Sequence, residues 1–219
     1  MPLELYAISG SPYAWRVQLA LEHKRIPYTT KLLSLSQGEL RSPDYLALNP
    51  RGRVPTIVDD GFVLYESIAI LAYLEQRWPD PPLFGRSPRE AGTTWRVISE
   101  YTSYLDPSVE DFILPLYFGR ATEQAASIRR AAATIADELA RYDTVLSRSP
   151  YLAGDALTAA DLVVFPHLQS IVRAAAKPAA AAFELAFLPL PTRHPALDAW
   201  RARLEALPHY ERTIPPHWR

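Results

Sequence analysis

The first dozen residues most narrow what this chain can fold into. Leu3-Glu4-Leu5-Tyr6-Ala7-Ile8 is an apolar, strand-like run, and Ser11-Pro12-Tyr13-Ala14 follows it almost at once. Pro12 suits the first position of a helix, where the N–H it lacks would be unbonded in any case. Ser11 then falls at the N-cap, with its hydroxyl where the helix dipole is positive and anions settle. Residues 3–9 read as a strand, 12–24 as a helix with Ala14, Val17 and Leu21 on one face, and 28–33 as a second strand, together a βαβ unit. A turn-rich loop and a short helix near Pro43–Leu48 come next. Thr56-Ile57-Val58 and Phe62-Val63-Leu64-Tyr65 flank Asp59-Asp60-Gly61, a hairpin signal, and a helix from Ser67 to about Gln76 closes the segment.

Pro79, Pro81, Pro82 and Pro88 cluster between Arg77 and Arg89, a density no helix interior tolerates, so a linker is expected there. Helices follow. Ala125, Ile128, Ala132, Ile135, Leu139, Tyr142 and Leu146 recur at steps of three and four, which draws one apolar stripe along a helix. Trp95, Ile98, Thr102, Leu105, Val109 and Phe112 do much the same before it, with Pro107 predicting a kink or break in their midst. The alanine-rich stretch Ala174–Ala182, interrupted by Pro178, reads as a helix end and loop. The expected fold class is α/β plus all-α: an N-terminal βαβ-ββα domain of thioredoxin-like order over residues 1–78, a proline-rich linker over 79–88, and a C-terminal helical-bundle domain over 89–219.

Composition excludes several classes of function. With 48% hydrophobic and 21% charged residues and a formal net charge of -1, the chain carries no strong field for nucleic acid or anionic lipid. No basic-then-apolar leader opens the sequence and no apolar run approaches the ~18 residues of a membrane span, so a soluble, cytoplasmic protein is expected. The cysteine count is zero, which rules out thiol–disulfide exchange by the protein's own sulfur. His23, His167, His194, His209 and His217 have no metal-ligand spacing, so no metal is assigned.

Two further stations lie at distances along the chain that suit a meeting with Ser11. Val54-Pro55 opens a short strand; a proline held cis there turns the preceding backbone outward and leaves the Val54 N–H and C=O for a peptide-like ligand. Glu66-Ser67 opens the next helix, where Ser67 offers a hydroxyl and a helix N-terminus to a carboxylate and Glu66 can hold an ammonium group. A ligand with a thiol, a peptide backbone and an α-amino acid end satisfies all three, and glutathione is such a ligand. At these residues the chain resembles a soluble glutathione transferase of the serine type. The resemblance covers nearly the whole length and rests on Ser11-Pro12-Tyr13 with Trp15-Arg16-Val17, on Asn49-Pro50-Arg51-Gly52-Arg53-Val54-Pro55, on Glu66-Ser67-Ile68-Ala69-Ile70, and on Gly154-Asp155 with Thr158-Ala159-Ala160-Asp161.

The resemblance implies attack of glutathione thiolate on a small hydrophobic electrophile, by conjugation or glutathione-dependent isomerisation, with Ser11 as thiolate stabiliser and Ser9, two residues earlier, as its rival. Tyr13, Arg41, Arg53, Val54, Glu66 and Ser67 are the expected glutathione contacts, and Pro55 shapes the backbone. Tyr101, Tyr104, Ile113, Leu116 and Tyr117, near the predicted kink, are candidates for the electrophile pocket, and each equally suits ordinary core. Thr158 and Asp161 form a capping-box pattern with a structural role. The family pairs into homodimers, so one is expected, with glutathione and the electrophile as small-molecule partners. Where glutaredoxins carry Cys-Pro-Tyr-Cys, this chain has Ser11-Pro12-Tyr13-Ala14. Trp15-Arg16-Val17 is similar to the maleylacetoacetate-isomerising branch, whose Ser-Ser-Cys motif is absent, while the Ser-Pro start resembles plant-type and broad bacterial members. A non-catalytic scaffold and a ligandin-type carrier of hydrophobic compounds are the alternatives of a different class.

Overall fold

The computed structural model describes residues 2–218. They divide into two units, one running to Leu83 and taking back the segment from Ala206 onward, the other spanning Phe84–Glu205.

The first unit contains β1 (Leu3–Ala7), α1 (Pro12–His23), β2 (Tyr28–Leu32), α2 (Pro43–Leu48), β3 (Thr56–Asp59), β4 (Phe62–Tyr65) and α3 (Ser67–Arg77). The sheet order is β2-β1-β3-β4, with β1 parallel to β2 and antiparallel to β3, and β3 antiparallel to β4. That is the thioredoxin-like βαβ-ββα arrangement. Leu3, Leu5 and Ala7 are buried while Glu4 and Tyr6 stay half-exposed, the alternation of a strand with one face inward. β1 stops at Ala7 rather than at residue 9 because the Ser11 N–H turns back to the Ile8 carbonyl (3.1 Å). In the β3–β4 hairpin Asp59 pairs with Phe62, and Asp60 (φ 48°) and Gly61 (φ 85°) are both left-handed. Such a two-residue turn matches the natural twist of the strands, which is what the Asp-Gly signal reports.

α1 packs against α3, and their far ends are clamped by one ammonium group. Lys24 Nζ donates to Glu75 (2.8 Å) and to the carbonyls of Trp78 (2.6 Å) and Pro81 (2.7 Å). A buried cation is tolerable only with such a full set of acceptors. The C-terminal segment, with α10 (Tyr210–Thr213), packs on α1 as well. The buried Trp15 explains why. Its indole N–H donates to Thr213 Oγ1 (2.8 Å), and its ring meets Tyr210 at 6.2 Å and Trp218 edge-on at 5.1 Å. An indole out of water needs an acceptor and apolar cover, and the chain's end supplies both. The sequence reading ran the helical domain to residue 219; these contacts group the last segment with the first unit instead.

The second unit is helical: α4 (Pro88–Glu100), α5 (Asp106–Tyr117), α6 (Ala125–Leu146), α7 (Ala159–Ala175), α8 (Leu190–Arg193) and α9 (Pro195–Glu205). One π-helical turn, Tyr101–Leu105, joins α4 to α5. The irregularity expected near Pro107 is that turn, and Pro107 itself stands at the start of α5, directly after the π turn has interrupted the regular ladder. The wider turn shifts the inward face. Thr94, Val97, Ile98 and Tyr101 are buried before it and Leu105, Val109, Phe112 and Leu116 after it, whereas Trp95 and Thr102 of the expected stripe are exposed. α6 buries Ile128, Ala132, Ile135, Leu139, Tyr142 and Leu146, as its periodicity predicts. α7 ends at Ala175, and a 3₁₀ turn occupies Pro178–Ala182. No described helix is long and apolar enough to cross a membrane.

Candidate active site

Sheet register brings the three sequence stations to one edge. Tyr6 pairs with Thr56 and Thr56 with Tyr65, so the end of β1, the start of β3 and the end of β4 lie side by side. The chain leaves that edge through Ser9–Ser11, returns to it through Arg53–Pro55, and leaves again through Glu66–Ser67.

Ser11 is the N-cap of α1, with φ −68°, ψ 117°, and its Oγ accepts the Ala14 N–H at 3.3 Å. Accepting that bond leaves the hydroxyl hydrogen to donate outward. Ser9 Oγ lies 2.9 Å from Nδ1 of His217 and is engaged by the C-terminal segment. Tyr13 is half-buried, its ring centre 5.0 Å from the Arg16 guanidinium.

The Val54-Pro55 peptide bond is cis. Among the described residues no backbone hydrogen bond involves Val54, whereas the preceding carbonyl is firmly held. Arg53 O accepts from Tyr45 Oη (2.6 Å) and from Asn49 Nδ2 (2.8 Å), and Asn49 Oδ1 accepts the Arg51 N–H (3.0 Å). Asn49 and Tyr45 are both buried, so this loop is posted from below. The Arg53 side chain is exposed. The exposed Arg41 packs on the same loop: a methyl group placed on Gly52 would stand 2.8 Å from Arg41 Nη1.

Glu66 has φ +72°, a conformation unusual for a side chain with a β-carbon and one held only where its surroundings demand it. Its carboxylate faces Arg51 at 3.7 Å, with both groups about two-thirds exposed, a contact worth little. Ser67 is the first residue of α3 and is buried, and its Oγ accepts from Arg16 Nη1 at 3.3 Å. Arg16, Asn49 and His217 are the polar groups that sequence reasoning left without a role. Two of them had a visible signal: Arg16 sits between Trp15 and Val17 in a helix that buries Ala14 through Val17, and Asn49 opens the turn before Val54-Pro55.

The residues expected to wall an electrophile pocket differ in exposure. Tyr101 and Leu116 are core: the Tyr101 hydroxyl donates to Asp106 Oδ1 (2.6 Å) and lies 2.8 Å from His167 Nδ1. Ile113 is half-buried; Tyr104 and Tyr117 are exposed, with Lys177 Nζ 4.1 Å from the Tyr117 ring centre. Tyr104 borders a cleft of about 430 Å³ whose other walls are Arg96, Glu100, Glu138 and Arg141 on the charged side and Val97, Tyr142, Val145 and Leu152 on the apolar side. Thr158 and Asp161 cap α7. The fully buried Asp161 carboxylate accepts from the Thr158 N–H (2.8 Å), the Thr158 hydroxyl (3.0 Å), the Leu152 N–H (2.9 Å) and the Trp200 indole (2.8 Å). Among the described residues no His, Asp and Glu cluster of three or more is arranged to hold a metal ion.

A serine-capped helix, a cis-proline loop and a second helix N-terminus thus lie at one edge of a mixed thioredoxin-like sheet, and a helical unit follows. Family models agree over most of the chain. The glutathione S-transferase N-terminal domain matches residues 10–77 and the C-terminal domain residues 122–203. The chain is 32% identical to glutathione S-transferase F10 of Arabidopsis thaliana over 164 residues, which is 72% of this chain and 75% of that protein. It is 32% identical to maleylacetoacetate isomerase of Pseudomonas aeruginosa over 178 residues, 78% of this chain and 82% of that protein. Among solved structures, a glutathione S-transferase of the Antarctic clam Laternula elliptica superposes with a TM-score of 0.83 at 29% identity, covering 100% of this chain and 94% of that one. The chain belongs to the glutathione S-transferase family and is a glutathione-dependent transferase.

Proposed function

We propose that this is a serine-type transferase in which Ser11 stabilises the glutathione thiolate for attack on a small hydrophobic electrophile. The observation that carries the reading is the sheet register that sets Ser11, Val54 and Ser67 along one edge. The thiol faces the Ser11 hydroxyl at the N-terminus of α1, with Tyr13 beside it. The peptide portion pairs with the Val54 backbone ahead of Pro55. The α-amino acid end meets Glu66 and Ser67, and Arg41 and Arg53 receive the glycyl carboxylate.

Energetics bound what the thiol site can do. A thiol of pKa about 8.5 is only ~3% ionised near pH 7, so complete ionisation raises the rate by at most roughly thirtyfold. A hydrogen bond to a charged sulfur is worth ~1.5–3 kcal/mol and a helix N-terminus up to ~2 kcal/mol, against ~1.4 kcal/mol for each pKa unit. Those two sources suffice for ionisation. Further acceleration comes from holding the electrophile against the sulfur. The reaction is conjugation or glutathione-dependent isomerisation; similarity to the Pseudomonas isomerase keeps the second within reach.

The protein works in the cytoplasm as a homodimer, in which the exposed Trp95 is among the apolar groups to be covered. Light scattering should give twice the chain mass at micromolar concentration. Retention on immobilised glutathione, followed by titration of the bound thiol through thiolate absorbance, tests the site. Failure to bind, or a bound thiol titrating as it does in free solution, overturns the reading.

A further inference from the structure

We propose that the C-terminal segment Tyr210–Trp218 completes the thiol site, with His217 as a positioning residue for the Ser9–Gly10–Ser11 turn. The inference rests on the assignment of Ser11 as thiolate stabiliser. Three independent contacts carry it. His217 Nδ1 lies 2.9 Å from Ser9 Oγ. The same imidazole lies against Gly10: a β-carbon there would stand 2.9 Å from Cε1 and 3.2 Å from Nε2 of His217. Gly10 also has φ +85°, so residue 10 must be glycine both for its backbone and for the ring that occupies its side-chain space. Third, Trp218 stacks edge-on against Trp15, whose indole is bonded to Thr213, so the segment is anchored on α1 on either side of His217.

Ser11 is tied to its own turn and to α1: its N–H reaches Ile8 O, its carbonyl accepts the Trp15 N–H and its Oγ the Ala14 N–H, and none of these bonds restrains Ser9 or Gly10 from outside the turn. His217 supplies that outside restraint. It fixes the residues that aim the Ser11 hydroxyl, from a point more than two hundred positions along the chain. A donor aimed at sulfur stabilises a thiolate only while its direction holds, so loosening the turn should weaken the stabilisation without touching the rest of the ligand.

The test uses the full chain. His217→Phe keeps a ring against Gly10 and removes the bond to Ser9; His217→Asn loses the ring and keeps a polar group near the Nδ1 position. For His217→Phe, kcat at neutral pH should fall about 3- to 10-fold, the range of one hydrogen bond, with the pKa of bound glutathione raised and its KM within about twofold of the parent. His217→Asn should recover most of the loss. Ser9→Ala should match His217→Phe, and the double variant should be no worse than either single one, because the same bond is removed. In the protein without glutathione, hydrogen exchange at the amides of residues 9–14 should quicken in His217→Phe and return toward the parent in His217→Asn. An unmoved thiol pKa with unchanged exchange, additive losses in the double variant, or equal losses in Asn and Phe variants would each overturn the proposal. Failure of the parent protein to bind glutathione would instead strike the Ser11 assignment, and the exchange comparison would still decide whether His217 orders the turn.

Discussion

Arg16 Nη1 donates to Ser67 Oγ over 3.3 Å, joining the middle of α1 to the first turn of α3. Arg16 is only 1% exposed, so a guanidinium lies beneath the N-terminus of α3, where the first-turn partial charges of a helix are also positive. Two like fields in one place favour an anion. The proposed occupant is the α-carboxylate of glutathione.

Ser67→Ala should therefore weaken glutathione binding by about 3- to 10-fold, the range of one hydrogen bond, while the thiol pKa of the remaining complex stays put. Glu66→Gln should act at the same end of the ligand, and Arg16→Met should weaken binding further because a charge goes with the bond. Calorimetric titration beside thiolate absorbance separates affinity from ionisation. A shifted thiol titration with unchanged affinity in the Ser67 variant would mean the two ends of the ligand had been assigned in reverse.

Stability of the helical unit turns on Asp161. Thr158 N–H, Thr158 hydroxyl, Leu152 N–H and Trp200 indole all donate to one buried carboxylate. Removing it leaves several donors unpaired out of water, each at ~1–3 kcal/mol with partial relaxation, so Asp161→Ala should cost roughly 3–5 kcal/mol. Thr158→Ala removes one hydroxyl donor and should cost about 1 kcal/mol. Urea unfolding of the two variants checks the ratio; equal losses would show that the carboxylate matters only as a helix cap.

How much of this was legible beforehand depends on the range of the contact. Ser11-Pro12, Asp60-Gly61 and Thr158 through Asp161 are local signals, each fixed by the conformation of a few neighbours, and the structure places helix starts and a hairpin turn where they stand. The spacing of apolar residues located α6 well, and located α4 and α5 less well, because a π turn at Tyr101–Leu105 rotates the inward face and leaves no composition mark. Contacts between distant residues were invisible. Nothing near Trp15 says that Thr213 will accept its N–H, and nothing near Ser9 points to His217, since a hydrogen bond across the fold constrains only residue type at each end. Tyr101 illustrates the converse: its place beside a predicted kink suggested a pocket wall, and its hydroxyl is engaged within the core by Asp106 and His167.

His194 links stability to pH. It is buried with an Nε2 that finds no partner, and burial lowers its pKa below the ordinary 6.5, a push that Arg193 reinforces and Asp143 opposes. The unfolded chain takes up a proton near pH 6.5 while the folded chain resists. Stability present above that pH is accordingly lost as pH falls toward the folded-state value, at a slope of at most about 1.4 kcal/mol per pH unit. His23, also lowered by burial, adds a slope of the same sign. Urea midpoints between pH 7.5 and 5 should flatten in His194→Phe relative to the parent. An identical pH profile would mean that His194 accepts its proton in the folded chain without cost.

The serine itself provides the decisive test of the thiol site. If Ser11 donates to sulfur, Ser11→Ala should leave glutathione affinity within a few fold, raise the pKa of the bound thiol, and cut conjugation at neutral pH while restoring part of it at higher pH. The loss cannot exceed roughly thirtyfold from ionisation alone, since that is the whole gain available at pH 7. Ser9→Ala should do less, about the 3- to 10-fold of His217→Phe, because its hydroxyl is engaged with His217 and acts only through the aim of the turn. Ser11→Cys should behave differently again. A thiol at the N-terminus of α1 has its own pKa lowered by the helix, and in a chain that otherwise has no cysteine it could form a mixed disulfide with glutathione and gain thioltransferase activity. Conjugation measured against pH for the two alanine variants, with mixed-disulfide reduction for the cysteine variant, covers both roles. A large pKa shift in Ser9→Ala beside parental behaviour in Ser11→Ala would make Ser11 a helix cap alone and move the thiolate donor two residues back.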